Sequence, residues 1–278
     1  MEEKKESKVQ HFIGIDIGST SAKVVVLGTD GQIEQTFLQP TGWSSVDTAE
    51  DLKRQMEEKG VDFTSCKSVA TGYGRAAVPY VDKTVTEITC HAQGATRLYE
   101  KDTLMIIDIG GQDTKIIKIK DGMVDDFMMN DKCSAGTGRF LEVMANVLGM
   151  KPGTMIEMAR EGAASGTTIS SMCTVFAESE VISLIGKGES KENIAFGIID
   201  SIVSKVASQA KRMLSSGAGS GAYAGQVCLT GGLCDAPYII ELLGEKLGTE
   251  VVTNPLGRFA GALGAAVQAE RLAKREEA

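Results

Sequence analysis

Histidine is nearly missing from this chain. Of 278 residues only His11 and His91 are histidine. A histidine-based nucleophile relay or a histidine-rich metal site therefore has almost no material. Long apolar runs are also missing: no stretch approaches the roughly 20 apolar residues of a membrane span. Basic charge is scarce, with 29 Lys and Arg against 37 Asp and Glu and a net charge of −8. The cations form no stripe, which argues against nucleic acid as a partner. Met1 to Gln10 are charged and contain no apolar signal core, so they are expected to be a disordered lead into a cytoplasmic protein. The six cysteines are Cys66, Cys90, Cys133, Cys173, Cys228 and Cys234. None forms a Cys-x-x-Cys pair, which disfavours a zinc ribbon or a thioredoxin-type motif. In a cytosolic chain of this length they do not suggest a disulfide framework.

What is present fits a globular α/β protein. Hydrophobic residues make up 42% and charged residues 24%, and the length suggests about two domains. An internal repeat organises them. Ile13-Gly14-Ile15-Asp16-Ile17-Gly18-Ser19-Thr20-Ser21-Ala22-Lys23 returns as Ile106-Ile107-Asp108-Ile109-Gly110-Gly111-Gln112-Asp113-Thr114-Lys115. Asp16 matches Asp108, Gly18 matches Gly110 and Lys23 matches Lys115 at one constant spacing. Each copy runs into a second β-rich stretch, Val24 to Leu27 and Ile116 to Ile119. Each then reaches an Asp-Gly hairpin signal, Asp30-Gly31 and Asp121-Gly122. A duplicated domain is the simplest account.

Periodicity places the remaining elements. Helices are expected over Thr48 to Lys59, Ile88 to Tyr99, Arg139 to Leu148, Thr174 to Ile185, Asn193 to Leu214, Tyr238 to Lys246 and Ala260 to Lys274. Strands are expected over Lys67 to Thr71, Gln226 to Thr230 and Val251 to Thr253. Ser215 to Gly225 is rich in Gly, Ser and Ala and reads as a flexible loop. Alternating strands and helices imply an α/β fold.

A strand ending in Asp-x-Gly, followed by Ser or Thr and a second strand, brings backbone N–H groups close to a ligand. One such loop is as well explained by a plain turn. Two matched copies, with Gly231-Gly232 after a late strand, point to phosphate. The expected nucleotide contacts are Asp16, Gly18, Ser19, Thr20, Ser21, Ala22 and Lys23 in the first loop. Gly110, Gly111 and Gln112 follow in the second, with Gly136, Thr137, Gly138, Gly231 and Gly232 beyond it. Asp16 and Asp108 suit Mg²⁺ held through water. Asp108, Gln112 and Asp113 are the candidates for orienting an attacking water. The pattern is not a Walker P-loop, which ends in Gly-Lys-Ser/Thr ahead of a helix. It resembles the actin-like ATPases, in which ATP lies between duplicated lobes.

Cys133 precedes Gly136-x-Gly138 and a helix, and Cys173 precedes the Thr174 to Ile185 run. A helix N-terminus favours a thiolate and an anionic cluster. From position alone each is equally a small buried residue or a ligand. Two cysteines are half of what a four-cysteine iron–sulfur cluster needs. Cys90 and Cys228 lie in apolar patterns, while Cys66 and Cys234 fall in polar turns and read as solvent-accessible thiols. Cys90-His91 are neighbours on a helix, point in different directions and read as core residues rather than a metal site.

The motifs Ile15 to Thr20, Thr71-Gly72-Tyr73-Gly74-Arg75, Asp108 to Asp113, Asn130 to Phe140, Cys173 to Glu180 and Thr230-Gly231-Gly232 occur in this order. Together they closely resemble the activators (component A) of 2-hydroxyacyl-CoA dehydratases, in the BadF/BadG/BcrA/BcrD-type ATPase family. The resemblance covers about residues 12 to 272. It implies a duplicated actin-like, ribonuclease H-like fold with a nucleotide cleft between lobes 11–98 and 99–278, the last helix (about 260–274) packing back on the first lobe. It further implies an oxygen-sensitive homodimer with one bridging [4Fe–4S] cluster, its ligands Cys133 and Cys173 of each copy. ATP, ADP and Mg²⁺ are the other cofactors implied. A reduced ferredoxin or flavodoxin would charge the cluster, and ATP hydrolysis would drive one electron into the dehydratase (component D). Arg258 departs from the family pattern, where a Gln near the adenine is expected. The ATPase subunit of a benzoyl-CoA reductase-type enzyme is the near alternative. An actin-fold sugar kinase lacks a clear catalytic base here. A non-catalytic nucleotide-binding regulator would bind ATP without iron.

Overall fold

The first duplicated motif forms a hairpin, β1 (His11–Ile17) and β2 (Ser21–Gly28), extended antiparallel by β3 (Ile33–Pro40). The chain then makes α1 (Ser45–Glu58), β4 (Cys66–Thr71) parallel to β1, β5 (Lys83–Thr84) and α2 (Glu87–Tyr99). The second motif forms β6 (Leu104–Ile109), β7 (Thr114–Lys120) and β8 (Met123–Asn130). Four helices follow: α3 (Gly138–Val147), α4 (Pro152–Ala159), α5 (Thr174–Gly186) and α6 (Lys191–Ser215). Then come β9 (Gln226–Gly231), α7 (Pro237–Leu247), β10 (Val251–Val252) and α8 (Ala260–Glu276). This computed structural model describes residues 9–170, 173–215 and 225–276. Most of the expected N-terminal lead, nearly all of the Gly-rich loop, and Ser171 and Met172 ahead of Cys173 lie outside the described residues.

The chain divides into two compact units, Met1–Glu100 with Phe259–Ala278, and Lys101–Arg258. Their sheets are copies: β3-β2-β1-β4-β5 in the first and β8-β7-β6-β9-β10 in the second. The register is copied too, with Asp16 opposite Lys23 and Asp108 opposite Lys115. Even the register shift recurs, at Val26/Leu27 and at Lys118/Ile119. The Asp121-Gly122 hairpin has positive φ at both turn residues (52° and 71°), the geometry that an Asp-Gly sequence favours.

Each sheet buries its own core. In the first unit Ile13, Ile15, Ile17, Val24 and Val26 meet Leu52 and Met56 of α1. On the other face α8 lies against β1 and α2, so closely that a Cβ at Gly14, Gly94 or Gly264 would overlap backbone. In the second unit α6 crosses the core. Its buried stripe of Ile194, Ile198, Ile202, Val206 and Ala210 keeps the helical period. Helix α4 was not expected from the sequence. Cys234, expected to be an accessible thiol, is fully buried. A Cβ on Gly257 would lie 3.3 Å from its sulfur, and Thr253 Oγ1 donates to its carbonyl at 2.7 Å. Among the described residues no helix is long and apolar enough to cross a membrane.

Candidate functional site

In the first unit Asp16 closes β1 and is only 4% exposed. The loop after it is tight: Gly18 N–H donates to Ser21 O at 3.1 Å. Thr41, just beyond β3, ties the loop down, its hydroxyl donating to Gly18 O at 2.7 Å and its N–H to Thr20 O at 3.0 Å. Ser19 is half-buried and Thr20 exposed, while the Ala22 side chain belongs to the core. Lys23 turns its amine toward Asp16, Nζ to Oδ2 3.9 Å.

The second unit repeats this loop with more charge. Asp108 is 2% exposed and Lys115 3%. Lys115 Nζ lies 3.6 Å from Asp108 Oδ2 and 2.7 Å from Asp113 Oδ2. Thr230 Oγ1 donates to Asp108 Oδ1 at 2.7 Å, and Gly110 N–H donates to Asp113 O at 2.9 Å. Asp113 thus folds back into its own turn, while Gln112 is exposed at the tip. The carbonyls of Gly110 and Gly111 accept from Gly138 N–H (2.9 Å) and Arg139 N–H (2.8 Å). Thr114 Oγ1 donates to Gly136 O at 2.6 Å. The second Asp-x-Gly loop is therefore bonded directly to the start of α3. Thr137, the N-cap of α3, is fully buried.

One part of the repeat is not obvious in the sequence. Thr71-Gly72 ends β4 beside Asp16 just as Thr230-Gly231 ends β9 beside Asp108. Gly72 has φ +89° and Gly231 φ +87°, a conformation that side chains rarely adopt. Both glycines also lie against the neighbouring Asp carboxylate and the carbonyl of the next residue, Ile17 or Ile109. Gly74 N–H and Gly232 N–H then donate to those same carbonyls, at 2.8 and 3.1 Å. The recurring Thr-Gly at a strand end was the available signal. His91 is a second such residue. It is buried on α2, and a Cβ on Gly261 would lie 3.0 Å from its Nε2 and 2.7 Å from Asp16 Oδ2.

The turns that carry the two singled-out cysteines are joined in the second unit. Cys133 is half-buried in the turn between β8 and α3, and Cys173 is exposed as the N-cap of α5. The residues that follow them are hydrogen-bonded, Ser134 Oγ to Thr174 Oγ1 at 2.5 Å. Asn130 Nδ2 braces the first turn by donating to Cys133 O (2.9 Å) and Ala135 O (3.1 Å). Ser170 N–H and Oγ donate to the Glu180 carboxylate and brace the second. Neither helix has a side-chain cap bond; the first two N–H groups of α3 are spent on Gly110 and Gly111, whereas the first turn of α5 has no such acceptor among the described residues. The other thiols are silenced. Burial pushes Cys66, Cys90 and Cys228 up to about 12 and Cys234 to about 11. Among the described residues no group of three or more His, Cys, Asp or Glu could hold a metal ion. One chain thus offers two thiols, half the donor set of a four-cysteine cluster.

Arg258, which stands where the family pattern places a Gln, pairs with Asp235. The family of BadF/BadG/BcrA/BcrD ATPases matches residues 13–269. The (R)-2-hydroxyglutaryl-CoA dehydratase activating ATPase of Acidaminococcus fermentans is 39% identical over 95% of this chain and 99% of that protein. The activator of lactoyl-CoA dehydratase of Anaerotignum propionicum is 40% identical over 96% of this chain and 100% of that protein. The activator of the 2-hydroxyisocaproyl-CoA dehydratase from Clostridium difficile, solved with bound ADPNP, matches with a TM-score of 0.84 at 35% identity. That match covers 96% of this chain and 97% of that one. The paired sheets and their helices are those of the actin-like ATPase fold. With sequence and fold shared over almost its whole length, the chain belongs to the BadF/BadG/BcrA/BcrD ATPase family.

Proposed function

We propose that this protein hydrolyses ATP to drive single electrons into a 2-hydroxyacyl-CoA dehydratase, acting as a homodimer that shares one [4Fe–4S] cluster. The observation that carries this reading is the Ser134–Thr174 hydrogen bond, which joins the two cysteine turns. It lies in the same unit as a phosphate loop bonded to the helix that follows Cys133. Relatives named as dehydratase activators support the choice of partner.

The donor set fits such a cluster. Two exposed or half-exposed thiols per chain become four in a dimer, each beside a helix start that favours negative charge. Beside Cys173, Val175, Phe176, Ile182 and Ile185 of α5 are exposed, an apolar face suited to a second copy. Cys133 and Cys173 of both copies would hold the cluster, which would supply a one-electron store between a reduced ferredoxin or flavodoxin and the dehydratase. In the same cycle ATP and water give ADP and phosphate.

The protein's own groups divide the nucleotide work. Phosphate binding is assigned to the loop from Gly18 to Lys23, to Gly110 and Gly111, to Gly231 and Gly232, and to the start of α3 from Gly136 to Gly138. Asp16 and Asp108 would hold Mg²⁺ through water. Asp108 and Gln112 orient the attacking water, and Asp113 supports them by fixing Lys115. A change at Gly110 and Gly111 on hydrolysis pulls on α3 through two backbone hydrogen bonds, and so on the Cys133 turn.

The test is activation of a 2-hydroxyacyl-CoA dehydratase by anaerobic protein with reduced flavodoxin. Substoichiometric protein should activate it with ATP and not with ADPNP. Cys133→Ala and Cys173→Ala should abolish activation and leave ATP binding within about twofold. Activation that survives either substitution would sink the reading.

A further inference from the structure

A cation stands beside one of the two thiols. Lys205 projects from the middle of α6, and its Nζ lies 3.7 Å from Cys133 Sγ, within hydrogen-bonding range for sulfur. Its place is fixed by packing. Its flanking residues Val203 and Val206 are in the core. The turn at Gly136 rests on its stem, where a Cβ would lie 3.5 Å from Lys205 Cδ and 3.6 Å from Cγ. That turn is held in turn by Thr114 through the 2.6 Å bond to Gly136 O. Among the described residues Lys205 has no carboxylate partner, so its charge is not spent in an ion pair. A lysine half-buried in a mostly apolar helix face loses hydration and side-chain freedom. The Cys133 sulfur is the group it faces in return.

We propose that Lys205 is a positioning residue that holds Cys133 and sets the reduction equilibrium of whatever iron–sulfur group that thiol ligates. The inference rests on the cluster reading above. A fixed positive charge that donates to a ligand sulfur stabilises the more negative, reduced form. Two copies in a dimer act on the same cluster. The Thr114–Gly136 contact places this cation one step from the second phosphate loop, so that loop and ligand share a support.

The test compares Lys205→Met, which keeps the stem, with Lys205→Arg, which keeps the charge. Each homodimer is reconstituted anaerobically with iron and sulfide, analysed for both, and titrated with reductant under electron paramagnetic resonance. Lys205→Met is expected to load iron like the unaltered protein. Its reduction should be about tenfold less favourable, or about 59 mV more negative for one electron. Lys205→Arg should return most of that shift. Loss of iron from Lys205→Met alone, with Lys205→Arg loaded, also supports a role for the charge. An unmoved midpoint in fully loaded Lys205→Met overturns this inference alone, as does loss of iron from both variants. Unaltered protein that takes up no iron overturns the cluster reading and this inference with it.

Discussion

Asp16 and Asp108 end equivalent strands in sheets of the same order and register, yet they sit in different electrostatic settings. Asp108 shares a buried lysine with Asp113 and accepts from Thr230. Asp16 meets a half-buried lysine at 3.9 Å. The next link differs as well. In both units the carbonyl of the loop glycine is held by the segment leading to the first helix. In the first unit a threonine side chain, Thr41, holds Gly18. In the second it is the backbone of α3, and the turn before that helix carries Cys133. One scaffold has thus been kept as a plain loop anchor in one copy. In the other it connects an Asp-x-Gly loop to the turn that carries a thiol. The second unit also gained α3 to α5 between equivalent strands, and with them the exposed Cys173.

The thiols sharpen this contrast most. Treated with iodoacetamide at pH 8, iron-free native protein should be labelled at Cys173 and spared at Cys66 and Cys90, the two thiols of the first unit. A thiol pushed up to about 12 is thiolate in roughly one molecule in 10⁴ at pH 8. Its labelling should climb as pH rises toward that value. Mass spectrometry of the peptides decides it, and equal labelling of all three would break the contrast.

The carboxylates come next. Asp108→Ala leaves the amine of Lys115, which is 3% exposed, with one partner fewer in the core. It should cost about 3 kcal/mol in urea unfolding. Asp16→Ala should cost about 1 kcal/mol, because Lys23 reaches solvent. Equal losses would remove the distinction between the loops. Gly72→Ala and Gly231→Ala, by contrast, should behave alike. Each forces a side chain into the same positive-φ conformation, at about 2 kcal/mol or more. A harmless substitution at either one would break the equivalence of the two Thr-Gly turns. The smallest effect is expected from Thr114→Val, about 1 kcal/mol for one buried hydrogen bond. That variant should hydrolyse ATP while activating a dehydratase less efficiently.

Much of the scaffold was legible. The Asp-x-Gly repeat located the first two strands of each opening sheet, and the two Asp-Gly turns marked where the third begins, because these signals are local. Helix α6, expected over 193–214, spans Lys191–Ser215, since its buried stripe is long and regular. Helix α4 was missed because Gly153 and Thr154 interrupt a short apolar stretch, though Pro152 at its first turn was a start signal. Cys234 was misjudged because its cover comes from Thr253 and Gly257, which local polarity does not reveal. The match of Thr71-Gly72 to Thr230-Gly231 was hidden by the three extra helices between β8 and β9, which break the constant spacing. Lys205 gave no signal of its own, being one of six charged residues on α6, since its partner lies far away in the chain.

The most direct measurement is iron and acid-labile sulfide per dimer on anaerobically purified protein, with an air-exposed aliquot beside it. The account predicts about four of each, lost in air and lost in Cys133→Ala. Protein that still hydrolyses ATP but holds no iron, even after anaerobic reconstitution, would contradict it.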